Sequence, residues 1–484
     1  MTDRVNCNDC SSAGCSDSLA FGIHSPPEKN RITGWAVLMM AAIFLAGCGE
    51  NQRPGKEILR YSFWGGYLEM GLWKQLKQTF EEKNPDVTIK LEYAPGSDSP
   101  ASLVTRMLAR SAAECMMIDD DGLPWLASKG YLEPLDDYIA RDAAELGIEE
   151  FLPTAMESVE YEKQRWAMPW DGFCEMIYVN LGLFEQAGIP EPAQEWTWDD
   201  FARIAHQLTR DLDGDGVIDQ YGAFLPMNTH HHQKVLWSFG ASWMDPEKKR
   251  ITIGTPEAVK ALDWYANILF RNKGAALQAE AGMGEEVMLF TNRVGMVACP
   301  AYIMINLRQM ENRKWDVYHI PKGPAGRAAR VSWDCIAIFS KAPQKKKELA
   351  WRWIRHILSS ESQRLIGASS RALPVREADA RASFIRPDTP QHEERFLEAM
   401  LEYGRLTPIT LSSVSWRQEA DFIWSRFGSE ATNDWALALR NGEDPPDRSR
   451  HHGDPSRWLS PEETIALCQE RCQRVVDDFN RRGY

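Results

Sequence analysis

The hydrophobic positions of this chain change period repeatedly. Leu59, Tyr61 and Phe63 alternate with Arg60 and Ser62, and Val87, Ile89 and Leu91 alternate with Thr88, Lys90 and Glu92, which is the two-residue period of strands. Between them Leu72, Trp73, Leu76, Thr79 and Phe80 recur at helical spacing, and Asn84-Pro85 stops the run. Other helices are predicted from their starts: Thr197 before WDDFARIAHQL, Thr255-Pro256-Glu257 before AVKALDWYANIL, and Ser460-Pro461-Glu462-Glu463 before the last helix. Strands separated by helices predict a mostly parallel sheet in a doubly wound α/β arrangement, whose ligands bind outside the carboxyl ends of the strands. In the last helix Ile465, Cys468, Cys472, Val476 and Phe479 form one stripe, so both cysteines are expected in the core. Cys115, Cys174, Cys299 and Cys335 sit in apolar strand-like contexts, and no disulfide pairing can be read from their spacing.

One apolar run follows neither period. Trp35 to Gly47 (WAVLMMAAIFLAG) follows Lys29 and Arg31, and is too short for the roughly 20 residues a membrane-spanning helix needs. It suits the apolar region of an export signal, so residues 1–47 are expected to be a signal peptide with an upstream extension. Leu45-Ala46-Gly47-Cys48 resembles the lipobox of bacterial lipoproteins. That resemblance implies cleavage before Cys48, lipid on its sulfur and its freed amine, and a chain exported and anchored to a bacterial membrane. Upstream, Cys7, Cys10 and Cys15 lack a second pair at zinc-finger spacing, so no function can be read from them.

With 484 residues the chain is long enough for two or three packed units, at roughly 150 residues each. The formal net charge of -14 excludes general nucleic-acid binding, because a phosphate backbone repels such a surface. The 19 tryptophans are the compositional anomaly that any functional account must place.

Several segments occur in a recognisable order: YSFWGG, FEEKNPDVTIKLEY, MMIDDDGLPWLASKGYLEPLDDYI, WAMPWDGFCEMIYVNLGLFEQAGIP, TWDDFARIAHQLTRDLDGDGVIDQYG, WSFGASW, LFTNRVGMVAC and KWDVYHIPKGPAGR. Their order and spacing over nearly all of the mature chain resemble the extracellular solute-binding proteins of bacterial ABC importers, in particular the sugar-binding family that includes maltose-binding protein. The resemblance implies two doubly wound α/β lobes joined by crossing hinge segments, with the ligand between them. Lobe 1 would take 49–168 and 300–358, and lobe 2 would take 169–299 and 359–484. It also implies a monomer that binds a mono- or oligosaccharide without a required cofactor and delivers it to ABC permease subunits. By the family's motif order, His230 and His231 fall on a ligand turn, Trp416 of SVSWRQEADFIW on an aromatic contact, and Tyr302 of GMVACPAYIM on the hinge side of the cleft. Relatives usually carry Gly-Pro or Gly-Ser before that last aromatic, and this chain departs from them there.

The residues point to a cleft independently of the resemblance. A pyranose has an apolar face that packs on an indole and a rim of hydroxyls that need acceptors, so a sugar site mixes aromatic rings with carboxylates. In FWGG, Trp64 can project from a strand end while Gly65 and Gly66 admit close approach. The same mixture recurs at Asp119-Asp120-Asp121 after the strand CMMI, at Trp170-Asp171-Gly172 and at Trp333-Asp334. The competing reading of each tryptophan is ordinary core.

Asp211, Asp213, Asp215, Gly216 and Asp219 follow the first nine positions of an EF-hand loop, which leaves calcium as a candidate cofactor. The twelfth position is Gly222 where the bidentate Glu belongs, and the alternative is an acidic turn. Two competing functions share these features: an exported glycan-active enzyme built on two carboxylates, and a ligand-presenting sensor subunit. No nucleophile elbow, phosphate loop or zincin motif supports an enzyme.

Overall fold

Alternation near residue 60 becomes strand β1 (Glu57–Trp64), with Leu59, Tyr61 and Phe63 buried. The helix that follows, Tyr67–Lys83, buries Leu72, Trp73, Leu76 and Phe80, and it ends where the Asn84 side chain donates to the Phe80 carbonyl at 2.8 Å. The structure, a computed structural model, describes residues 56–482 apart from 95–99, 110, 282–283, 311–313, 389 and 446–453. The expected signal segment 1–47 and Cys48 lie outside the described residues. The helix starts read from sequence are present. Thr197 and Asp200 form a reciprocal capping box, Thr255 Oγ1 accepts from the Ala258 amide at 3.2 Å, and Ser460 and Glu463 repeat the box at helix Pro461–Arg481. None of the described helices is long and apolar enough to cross a membrane.

The remaining strands are β2 (Val87–Ala94), β3 (Cys115–Asp119), the hairpin β4 (Glu160–Tyr161) and β5 (Gln164–Arg165), β6 (Met168–Asn180), β7 (Tyr221–Phe224), β8 (Ala275–Ala276), β9 (Val294–Pro300), β10 (Trp315–Tyr318), β11 (Ala329–Ile338), β12 (Leu373–Pro374) and β13 (Gly404–Leu406). All but the hairpin join in the order β2-β1-β3-β11-β6-β9-β7-β8, with β10 and β12 on β6 and β13 on β11. The two wings are parallel, as expected: β1 pairs with β2 and β3, and β7 with β8 and β9. The centre is not. β11 is antiparallel to β3 and β6, and β6 is antiparallel to β9 and β10, so the sheet is mixed.

β6 explains the difference. Its first half, through Cys174, pairs with β11, and its second half, from Glu175, pairs with β9. One strand therefore crosses from one α/β lobe to the other, and all 13 of its residues are buried. The expected lobe boundaries need correction at two places. β10, within 300–358, pairs with the second half of β6, so it lies in the second lobe. β12 pairs with Gly172 and Asp171 in the first half, and the helix Ser360–Ala368 packs on helix Tyr67–Lys83, so this part of 359–484 lies with the first. Local periodicity cannot show which half of a crossing strand a distant segment will pair with.

Candidate functional site

The carboxyl ends of β1 and β3 face the start of helix Thr229–Phe239 across a cleft of about 740 Å³. One wall carries Trp64, Gly65, Glu69, Asp119, Asp120 and Asp121, together with Arg330, Trp333 and Asp334 of β11. The other carries Asn228, His230, His231, Glu286 and the turn of Tyr302 that follows β9. Gly65 has φ +148°, and a Cβ there would collide with the Glu69 carboxylate, so only glycine lets that carboxylate fold back onto the Gly66 amide at the helix start.

Arg371 forms the floor. Its side chain is 3% exposed and bonds to Glu69, Asp171 and Asp334, the last at 2.6 Å. It also lies over the rings of Trp170 and Phe173, at 4.7 and 5.1 Å. Deeper in the second lobe, Lys234 reaches Glu175 at 3.0 Å, and Nδ1 of His231 lies 2.8 Å from the same carboxylate. Burial opposes ionisation of Glu175, but Lys234 and His231 outweigh it and hold the acid at about 2.

The three adjacent aspartates are driven apart electrostatically. Burial and the Asp121 charge push Asp120 up to about 8, and the same two causes raise Asp119 to about 6. Burial also opposes ionisation of Asp121, but Arg417 overrides it with bonds of 2.7 and 3.0 Å and lowers it to about 2. The triplet therefore titrates as a unit that keeps a proton at neutral pH, chiefly on Asp120. The sign for stability follows. Asp120 binds its proton more tightly folded than unfolded, so its contribution is complete below about pH 4 and declines as the pH rises toward 8. Asp121 and Glu175 contribute above about pH 4 and lose that contribution as the pH falls toward 2. In urea titrations the wild-type midpoint should fall between pH 6 and 8, and Asp120→Asn, which mimics the neutral acid, should flatten that fall. An equal fall in both proteins would remove Asp120 as its source.

The structure separates the residues expected at the site. Trp64, Gly65, Asp119, Asp120, His230, His231, Tyr302 and Trp333 line the cleft. Trp333 does so only by an edge: it is 1% exposed, its indole Nε1 donates to Thr154 Oγ1 at 3.0 Å, and it packs so closely on Gly172 that a Cβ there would come within 2.7 Å of its ring. Trp170, Asp171 and Trp416 do not line it, and the expectation is corrected for each. Trp170 is fully buried against Trp73, with ring centroids 4.7 Å apart. Asp171 is fully buried under Arg371. Trp416 is fully buried against Trp243, with centroids 5.4 Å apart. His232, next to the two cleft histidines, stacks on Trp424 at 3.6 Å in the core.

Sequence reasoning missed Arg371, Arg417, Arg330, Glu175, Lys234 and Phe173. Phe173 and Glu175 share β6 and the others stand on separate segments, none marked by a local pattern; Glu69, in the first turn of helix Tyr67–Lys83, was also missed and did have a readable signal, in its capping position. The described cysteines are unpaired and buried, Cys468 and Cys472 included.

Asp211, Asp213 and Asp215 form the one cluster of three potential metal-ligating groups among the described residues, all exposed, with ligand atoms within 4.8 Å of one another. These carboxylates already accept backbone amides. Asp211 takes Gly214 and Gly216 at 2.7 and 2.8 Å, Asp213 takes Asp215 at 3.1 Å, and Asp215 takes Val217 at 2.7 Å. Asp219 stands outside the cluster and accepts from the Leu212 amide at 2.7 Å.

A family model described as bacterial extracellular solute-binding protein matches residues 68–364. A Brucella abortus protein, named as a binding protein, is 24% identical over 364 residues, which cover 73% of this chain and 84% of that one. The mannitol-binding protein of Pseudomonas aeruginosa is 25% identical over 226 residues, 45% of this chain and 49% of its own. An ABC substrate-binding protein of Listeria monocytogenes, solved in complex with cycloalternan, has the same fold, with a TM-score of 0.73 at 20% identity over 87% of this chain and 99% of that one.

Proposed function

This chain belongs to the family of bacterial extracellular solute-binding proteins, and from that premise we propose that its cleft captures a mono- or oligosaccharide and delivers it to the permease subunits of an ABC importer. The observation that carries the reading is the pairing, in one cleft, of aromatic surface from Trp64, Phe173 and Tyr302 with acceptors on Asp119 and Asp120. A sugar's apolar face and hydroxyl rim require that pairing. Cycloalternan on the Listeria protein and mannitol for the Pseudomonas protein are ligands of the same polyhydroxylated class. The chain is a binding protein, not an enzyme.

Calorimetry over a panel of mono- and oligosaccharides should find one-site binding, while reducing-end assays show no turnover. Absence of heat with every sugar would sink the sugar reading, and product release would sink the binding-only reading. We propose further that the mature protein is a monomer held to the bacterial membrane by lipid on Cys48, a reading supported by the Leu45–Cys48 sequence. Cys48→Ala should move the protein out of the membrane fraction, and unchanged anchoring would count against it. The reading requires no metal, and the Asp211–Asp219 loop serves it as an acidic turn folded by its own amide bonds.

A further inference from the structure

The two guanidiniums held by carboxylates at this cleft do different work. Arg371 ties elements of one lobe to each other, as described above. Arg417 sits on helix Ser413–Phe427, which packs on helices Thr229–Phe239 and Pro461–Arg481 of the second lobe. Its partner, Asp121, belongs to the turn after β3 in the first lobe, and the bond is bidentate. Asp121 and His230 line the cleft, and Arg417 stands behind them, outside the lining and 5% exposed.

We propose that Arg417 is a positioning residue for ligand capture: it draws the two lobes together through Asp121 and fixes the tautomer of His230, without itself touching the ligand. The inference rests on reading the cleft as the ligand site. A fork-to-fork pair in a partly desolvated place is strong only while both partners are aligned. Because its two ends ride on different lobes, its energy is lost once the lobes part far enough to separate Arg417 from Asp121. Both partners are protein groups, so the attraction acts whatever the cleft contains. A ligand that binds the closed form then meets a larger competent fraction, and its apparent affinity rises by that factor.

The second effect is on His230. Arg417 Nη1 lies 3.5 Å from His230 Nε2, and a guanidinium can only donate. Burial first, and the Arg330 charge second, keep this imidazole neutral by lowering it to about 3. Asp121 Oδ2 lies 3.6 Å from the same Nε2 but already accepts from Arg417 at 2.7 Å, so the geometry points the Nε2 lone pair at the guanidinium and leaves the proton on Nδ1. That Nδ1 is buried, with no hydrogen-bond partner among the described residues.

Two ligand-free measurements on the full mature chain test the proposal, and neither depends on the sugar reading. In solution scattering the wild type should be compact. Arg417→Met and Asp121→Asn should both show a larger radius of gyration, and Arg417→Lys, which keeps the charge but not the fork, should fall between. In nitrogen NMR of the histidines, His230 should carry its proton on Nδ1 in the wild type and lose that preference in Arg417→Met. A wild type as expanded as the variants, or an Arg417→Met protein that matches the wild type in both readouts, overturns the proposal. Should both non-conservative variants fail to fold, the wild-type tautomer decides: Nδ1–H supports the proposal and Nε2–H overturns it.

Discussion

Arg371→Met should destabilise the fold by about 3–5 kcal/mol, measured as a lowered denaturant midpoint at pH 7. The cost comes less from the lost attraction than from what remains: Glu69, Asp171 and Asp334 would face one another in the floor of the cleft with no cation between them. Burial first, and Asp119 next, already push Asp334 well above the usual carboxylate range, so little capacity remains for a further unpaired charge. Arg371→Lys should recover only part of the loss, since a point charge cannot serve three carboxylates as a planar fork does. A loss below about 1 kcal/mol in the Met variant would show that the cluster relaxes or takes up protons freely, and would remove Arg371 as its organiser.

Trp170→Ala and Trp416→Ala should each cost about 3–5 kcal/mol of stability, the range for deleting a fully buried large aromatic. Trp64→Ala should behave in the opposite way. Its ring lines the cleft and is only partly buried, so folding should change little while sugar affinity falls about 10- to 100-fold, the equivalent of about 1.4–2.8 kcal/mol of lost apolar contact. Melting and calorimetry on the three variants separate the cases. If Trp416→Ala or Trp170→Ala kept its stability and lost ligand, the assignment of that ring to the core would fail.

These tryptophans also show where sequence reading stops. Period-two alternation located β1 because its side chains leave polar positions between apolar ones, and the glycines after it marked the strand end. In β6 both faces are covered, so the pattern no longer says which side chain looks into a cleft and which into the core. Trp170 beside Asp171 and Gly172 therefore looked like a ligand platform, whereas Gly172 is small in order to seat Trp333. Trp416 lies on a helix whose buried side faces helix Pro461–Arg481, where the Cys472 thiol reaches the Trp416 carbonyl at 3.4 Å. The aspartates after β3 were legible because strand-end acids are exposed to whatever the sheet binds. Their partner Arg417 was not, because the pairing crosses 296 residues and no local pattern encodes it.

The central pair of strands also dictates an order of assembly. β3 finds its second neighbour only in β11, and Trp333 donates to Asp120 across 213 residues of intervening chain. A chain that emerges from its N-terminus first must keep the β3 edge unpaired until the second-lobe strands β7 to β10 have followed. Such long-range closure makes folding slow and leaves an adhesive edge in the meantime. β6 has the same requirement from the other side, since neither of its halves is complete without a strand that comes later. A fragment that stops before residue 329 should therefore aggregate instead of yielding a folded first lobe, and a cut placed between the lobes should not release two independent pieces.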